Sequence, residues 1–455
     1  MNWPNYFLAD LPVEATLTPV MITEACQTLR RNRARYLASK STEHIVALLA
    51  QVAARWLEPD YPFRQRALEL GPAATGFSRA TLWRGLEAFF EQLTVESLNA
   101  LLTQELGDAQ RLDRFSAVDL IRRTSATAII RGPELLVHIT AGNVPSPALM
   151  SIVLGLLARS AQFVKCATGA SLLPRLFAHS LYDEDPKLAA CLEIAEWRGG
   201  NQSLESALFA EAECVTATGN DETLAAIRHR LPARARFLAH GHRLSFGYVS
   251  REAFAGSAIA RSVASRAADD VAAWNQLGCL SPHIIYVQAG GILPPEQFAA
   301  LLAEALAHLE TIEPRGELPV EIAASIQSRR DLYRVRATAS TGTLLWQSEN
   351  STAWTVIYEA EAEFQISCLH RFIFVKGVAN LDEALRHAEP VHGRVSTVGL
   401  AAPRHHTTEL AMSLARWGVT RVCPLGQMQR PPLTWHHDGR PALGDLVTWT
   451  DWEEE

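Results

Sequence analysis

The sequence predicts an α/β protein built on two doubly wound, largely parallel sheets, and three observations point there. From about residue 125, short β-branched runs alternate with helical patterns, which is the signature of βαβ units. A second series of the same kind begins near residue 245. The chain has 455 residues, 48% hydrophobic and 20% charged, which suits two or three ordinary globular domains with sizeable cores.

Residues 1–120 read as mostly helical. EACQTLRRNRARYLA and TEHIVALLAQVAARWL carry apolar residues at three- and four-residue spacing. SRATLWRGLEAFFEQL and VESLNALLTQEL follow, with Ser78 and Thr94 as their caps. Between them and the preceding helix, GPAATGFS (71–78) reads as a loop from its Gly and Pro content.

The first α/β series spans 121–245. ATAIIRG and ELLVHIT read as strands, and SPALMSIVLGLLAR as a helix begun at Ser146 with Pro147 in its first turn. Strands AQFVKCA, CLEIAEW and ECVTATG then alternate with helices LLPRLFAHSLY, SLESALFAEA and DETLAAIRHRL. Ligands of such sheets sit beyond the carboxyl ends of strands, so the loops TAGNVPSP, KCATGAS and ATGND are of interest.

The second series spans 246–425. RLSFGYVS and HIIYVQ read as strands flanking the helix FAGSAIARSVASRAADDVAAW. The helices PEQFAALLAEALAHLE and LPVEIAASIQSRRDLYRV precede strands TGTLLWQS, TAWTVIYEA and RFIFVKG, and the helices NLDEALRHAE and ELAMSLARWG follow. Residues 426–455 hold Trp435, Trp449 and Trp452 among Pro-rich turns and read as a C-terminal strand or hairpin.

Composition narrows the function classes. The formal net charge is −7 and basic residues are scattered, whereas a nucleic-acid surface needs them clustered. The longest apolar run, ALMSIVLGLLA (148–158), is too short to span a bilayer. Seven cysteines, none spaced as CxxC, and an N-terminus without a secretory pattern predict thiols in a reducing, cytoplasmic setting. His405-His406 and His436-His437-Asp438 give no closed ligand set, so no metal is assigned and surface loops account for them.

Two segments carry chemistry. In WNQLGCLSPHIIYV, Cys279 lies between the polar, flexible approach Asn275-Gln276-Gly278 and the Ser281-Pro282 entry to a strand. A lone cysteine is most often a small buried hydrophobe. On a connection it can instead be a nucleophile, since a thiolate suits covalent acyl chemistry. In HITAGNVPSP, the Gly-Asn pair is either an ordinary turn or a means of aiming the Asn143 amide at a developing oxyanion.

The set AGNVP, VKCAT, TATGN, NQLGC and RVCPLGQMQRPPLTWHHDGRPALGDLVTW resembles the acyl-CoA reductases of the LuxC family, a branch of the aldehyde dehydrogenase superfamily. The resemblance covers residues from about 125 to the end, and the helical N-terminal part matches in texture alone. It implies an aldehyde-dehydrogenase-like fold, with residues 1–120 packed on a dinucleotide-binding domain (121–245), a catalytic domain (246–425) and an extension (426–455). It implies Cys279 as nucleophile, Asn143 as oxyanion donor, Lys165 on the adenosine ribose, and Thr218-Gly219-Asn220 near the pyrophosphate, bound without a GxGxxG motif.

Two departures from the superfamily pattern are informative. Hydrolytic members carry a glutamate base where FLAHGHRL here offers Ala239 or His240. Losing it fits a reductase that keeps water from the acyl group. NAD-selective relatives often place Glu three residues after the Lys; Thr168 stands here, which favours NADPH. The resemblance further implies an acyl-CoA or acyl-carrier thioester substrate, an acyl-transferring partner enzyme, and a homo-oligomer whose C-terminal segment extends a neighbouring sheet. An oxidising aldehyde dehydrogenase, a non-redox cysteine acyltransferase or thioesterase, and a catalytically silent partner remain as other readings of the same residues.

Overall fold

The computed structural model describes residues 4–12, 14–117 and 127–453. Its strands, in chain order, are β1 (Ser116–Ala117), β2 (Thr127–Arg131), β3 (Leu135–Ile139), β4 (Ala161–Cys166), β5 (Leu192–Glu196), β6 (Cys214–Thr218), β7 (Arg236–His240), β8 (Leu244–Val249), β9 (Pro282–Gln288), β10 (Thr343–Gln347), β11 (Thr355–Glu359), β12 (Phe372–Val378), β13 (Val395–Ala401), β14 (Arg421–Pro424) and β15 (Thr448–Trp452). The chain divides into two compact units. One comprises residues 1–75, 86–241 and 432–455, the other residues 76–85 and 242–431. The boundary expected at 120/121 lies outside the described residues.

The first unit carries a five-stranded sheet in the order β5-β4-β3-β6-β7, every pair parallel. Counted along the chain this is 3-2-1-4-5, the doubly wound order whose direction reverses between β3 and β6. Leu135, Val137, Phe163 and Val215 are fully buried, and they pack with Ile22 and Cys26 of helix Pro19–Asn32 and with Leu208 of helix Gln202–Glu211. The N-terminal helices therefore complete this unit's core. Thr94 caps Val95–Leu106, its hydroxyl oxygen accepting from Ser97 N at 3.1 Å.

Two sequence expectations fail here. GPAATGFS is not a loop from residue 71, because helix Pro62–Thr75 continues through Pro72 and ends before Gly76, whose φ of +75° suits a glycine stop. ATAIIRG forms a strand but does not join the parallel sheet. β2 pairs antiparallel with β1 and with β15, so a small three-stranded sheet joins this segment to the Trp-rich C-terminus.

The second unit carries a seven-stranded sheet, β10-β11-β12-β9-β8-β13-β14, parallel except for the edge strand β10. Phe246, Tyr286 and Phe374 are buried on one face, and Ile285, Ile373 and Val375 on the other, beneath helices Ser257–Ala272 and Pro295–Ile312. Ser78 opens its helix as expected, accepting from Thr81 N at 3.1 Å. Strands β13 and β14 escaped the sequence reading: VSTVGLA is buried along its whole length, so it lacks alternation, and Ser396, Thr397 and Gly399 break what would otherwise be an apolar run. Lys376 and Glu359, register partners on β12 and β11, form a fully buried ion pair at 3.3 Å.

Candidate active site

Cys279 follows a backbone that sequence alone misjudged. The approach is clamped rather than flexible. Trp274, Asn275 and Gln276 all take left-handed conformations, with φ of 50°, 51° and 65°. Such a run costs roughly 1–2 kcal/mol per residue and needs surroundings that enforce it. Those surroundings are present. Asn275 Nδ2 donates to Arg315 O at 2.8 Å, and its Oδ1 accepts from Arg371 Nε at 3.2 Å. Gln276 Nε2 donates to Pro282 O (2.7 Å) and Phe372 O (3.0 Å), while its Oε1 accepts from Phe372 N (2.9 Å).

The clamp has a mirror. Leu369, His370 and Arg371 also take positive φ, at 62°, 55° and 64°, immediately before β12. Two left-handed triplets are thus tied together by Asn275, Gln276 and Arg371. Arg371 is itself fully buried, donating to Glu310 (2.9 Å) and to Glu313 O (2.8 Å). Trp274 packs edge-on against Phe77 and over Gly85, where a Cβ would lie 2.1 Å from its ring.

This scaffold presents Cys279 outward at the amino end of β9, and it is the exposed thiol among cysteines that are otherwise buried or half-buried. Its carbonyl accepts from Ser245 Oγ at 2.8 Å, and Ser245 in turn accepts from Thr397 N at 3.2 Å, so β8 and β13 fix the Cys279 backbone. On the other side Gln429 donates to Ser281 and crowds Gly278, where a Cβ would meet it at 3.0 Å. The loop bearing Gln429 is held by Asp270, whose carboxylate accepts from Gly426 N and Met428 N. Burial pushes the Asp270 carboxyl up to about 7 despite those bonds. The expected packing role of Cys166 and Cys214 agrees with their burial, which raises their thiols to about 12 and about 11.

The remaining predicted residues lie in the first unit, at the carboxyl ends of β3, β4 and β6. Asn143 is exposed on the β3 loop, just before helix Ser146–Leu157. Lys165 closes β4, 4% exposed, and burial lowers its pKa against the raising pull of Glu205, Cys166 and Glu196. Its Nζ lies 5.7 Å from the Trp197 ring and 4.0 Å from where a Gly199 Cβ would be, so the loop after β5 lies over it. Thr168 is exposed beside Gly169, and Glu196 secures this loop by accepting from Gly169 N at 2.8 Å and Ser171 N at 3.2 Å.

Thr218 ends β6, and Gly219 N donates to His240 O at 3.2 Å. Asn220 caps helix Asp221–Arg230, accepting from Thr223 N at 2.8 Å. One helix N–H is therefore already satisfied, and Asp221 and Glu222 add negative charge to the first turn. The β3 and β6 loops flank the point where strand order reverses, the usual seat of a dinucleotide in such sheets. Gln276, Arg371, Ser245, Gln429 and Asp270 were not singled out from sequence. Isolated polar residues beside apolar runs leave no periodic trace of what they will bond.

A family model described as acyl-CoA reductase (LuxC) matches residues 37–449. The long-chain acyl-protein thioester reductase of Photorhabdus laumondii is 23% identical over 419 residues, covering 90% of this chain and 82% of its own length. That of Vibrio harveyi is 22% identical over 425 residues, covering 92% and 84%. Among solved structures, the aldehyde dehydrogenase KauB from Pseudomonas aeruginosa superposes with a TM-score of 0.70 at 12% identity, over 97% of this chain and 90% of that one. An NAD-dependent benzaldehyde dehydrogenase from Corynebacterium glutamicum gives 0.66 at 13% identity, over 98% and 94%. A bifunctional proline utilization A (PutA) protein gives 0.71 at 17% identity, 98% of this chain spanning 45% of that longer one. At these identities the solved structures speak for the fold. The chain belongs to the acyl-CoA reductase (LuxC) family, as an oxidoreductase on the aldehyde dehydrogenase fold.

Proposed function

We propose that this protein reduces a fatty acyl thioester, presented as acyl-CoA or on an acyl-carrying protein, to the aldehyde, using NADPH. The observation that carries the reading is the clamped turn that holds Cys279 outward while surrounding polar groups are spent on structure. The Cys279 thiolate attacks the thioester carbonyl, and Asn143 with the Cys279 backbone N–H steadies the oxyanion. A donor of this kind contributes roughly 3–4 kcal/mol in acyl-transfer transition states. The carrier thiol leaves and takes up a proton, giving a thioacyl group on Cys279. A nicotinamide cofactor held in the first unit would supply hydride to this acyl carbon, and breaking of its C–S bond to Cys279 would then release the aldehyde and restore the thiol.

The cofactor's fit rests on the first unit. Its sheet has the doubly wound order, with Thr218–Asn220 at the reversal point, and Lys165 is a buried cation at a strand end, its pKa lowered by burial. Asp221 and Glu222 weigh against a phosphate directly on the helix axis, so Lys165, Thr168 and the backbone of the β4 loop are the preferred anchors. Thr168 leaves room and neutral charge for a 2′-phosphate, and the exposed Arg198 on the loop above Lys165 adds a cation. Thr168→Glu is expected to lower kcat/KM for NADPH by about tenfold or more while sparing NADH, since one misplaced charge is worth about 1.4 kcal/mol or more. Equal losses with both cofactors would contradict this assignment.

The same proposal includes an acyl-delivering partner enzyme, a homo-oligomer and a cytoplasmic location, the last in keeping with seven thiols. Among the described residues no helix is long and apolar enough to cross a membrane. The test is NADPH consumption with acyl-CoAs of graded chain length, alongside aldehyde oxidation without CoA. Reduction lost in Cys279→Ala is expected. Fast CoA-independent aldehyde oxidation would instead favour an oxidising dehydrogenase.

A further inference from the structure

We propose that His240, His437 and Asp438 form a binding site for a divalent transition-metal ion of the zinc class. Sequence spacing gave the His436-His437-Asp438 run no closed ligand set; the fold supplies the missing donor from β7. One donor atom from each of the three residues lies within 4.8 Å of the others. All three belong to the first unit.

Local backbone structure explains the cluster. Arg440 N donates to His437 O at 3.1 Å, and Asp438 and Gly439 between them take φ of 55° and 75°. Positive φ at both central positions is the type I′ turn that Asp-Gly favours. This turn swings the Asp438 side chain inward, to 2% exposure, and stacks the His437 ring on His240 at 4.4 Å and 12°. Arg440 Nη2 donates to Ala239 O at 2.9 Å and pins the turn to the end of β7. Trp435 packs tilted against His437, ring centroids 4.8 Å apart.

The spacing of the cluster admits a shared cation as well as a hydrogen bond. His240 Nδ1 and Asp438 Oδ2 are 3.3 Å apart. A charge-assisted bond prefers about 2.7–2.9 Å. Two ligands each about 2.1 Å from a tetrahedral zinc lie ~3.4 Å apart. The pair makes a long hydrogen bond as it stands, and the same spacing is compatible with an ion between its atoms. His437 would complete the set by turning its donor nitrogen toward them from its stack on His240, with water as the fourth ligand. Two imidazoles and one carboxylate suit zinc, cobalt(II) or nickel(II) rather than magnesium or calcium. Bound there, the ion would fasten the C-terminal segment to β7.

The competing explanation is that Asp438 serves the turn alone. Asp438→Asn separates the two, because Asn keeps the I′ preference and removes the anionic ligand. The full chain, its thiols alkylated so that Cys279 cannot compete, is titrated with Zn2+ and Co2+. The site predicts one saturable equivalent, visible d–d absorption with Co2+, and a Tm rise that a chelator reverses. Asp438→Asn and His240→Gln should each weaken binding by about tenfold or more, with the metal-free Tm of Asp438→Asn unchanged. Binding of the same strength in both variants, loss of binding in His405→Gln/His406→Gln instead, or no saturable equivalent would overturn the proposal.

Discussion

Gln276 shows how a single buried side chain can hold the backbone that leads to Cys279. Its amide satisfies two buried carbonyls and one buried N–H across the turn and the start of β12. Gln276→Ala strands those groups in the interior, each at about 1–3 kcal/mol. The expected result is a loss of about 3 kcal/mol in urea denaturation, with a fall in acyl reduction as Cys279 loses its fixed backbone. Stability within 1 kcal/mol of wild type would mean the turn holds itself. Cys279 and Asn143 stand out in the sequence through the neighbours that carry the family resemblance, and the structure places Cys279 as an exposed thiol. The clamp was not legible in the sequence, since Asn275 and Gln276 look like a solvated, mobile pair until their partners from residues 315 and 371–372 arrive.

At the scale of elements, Asp270 couples helix Ser257–Ala272 to the loop that flanks Cys279. Its carboxyl is raised to about 7 chiefly by burial, against bonds from Gly426 and Met428. The folded state thus holds a proton that the unfolded chain releases near its ordinary value of 3.8. Stability from this group is present at low pH and lost as pH rises toward 7, by at most about 1.4 kcal/mol per pH unit. Asp270→Asn should flatten that slope relative to wild type between pH 5 and 7, measured by urea midpoints. Parallel profiles would rule the linkage out. Elsewhere, Lys376→Met leaves Glu359 buried with only its Arg336 contact at 3.0 Å, and a loss of about 3 kcal/mol or more is expected by thermal unfolding. Helices and hydrophobic strands were readable from periodicity or apolar runs, whereas β13 was not, because Ser396, Thr397 and Gly399 interrupt its apolar run although all are buried.

For the molecule as a whole, two features were readable only in part. Alternating elements announced two parallel sheets, and both are present. Local pattern could not show that ATAIIRG pairs with the C-terminus, because such a contact spans the whole chain between residues 127–131 and 448–452. β15 is an exposed edge strand, with Trp449 and Trp452 at 41% and 49% exposure. An unprotected edge of this kind is suited to pairing with another chain. Deletion of residues 448–455 is expected to shift the protein to a smaller species in analytical ultracentrifugation. An unchanged sedimentation profile would place any subunit contact elsewhere.

The central claim is that Cys279 carries the acyl group between thioester and aldehyde. Intact-protein mass after mixing with a long-chain acyl-CoA, in the absence of NADPH, tests it most directly. The expected spectrum shows one acyl adduct on the wild type, mapped to Cys279, discharged by NADPH and absent from Cys279→Ala. A wild type without adduct, or an adduct equally present in Cys279→Ala, would contradict the account.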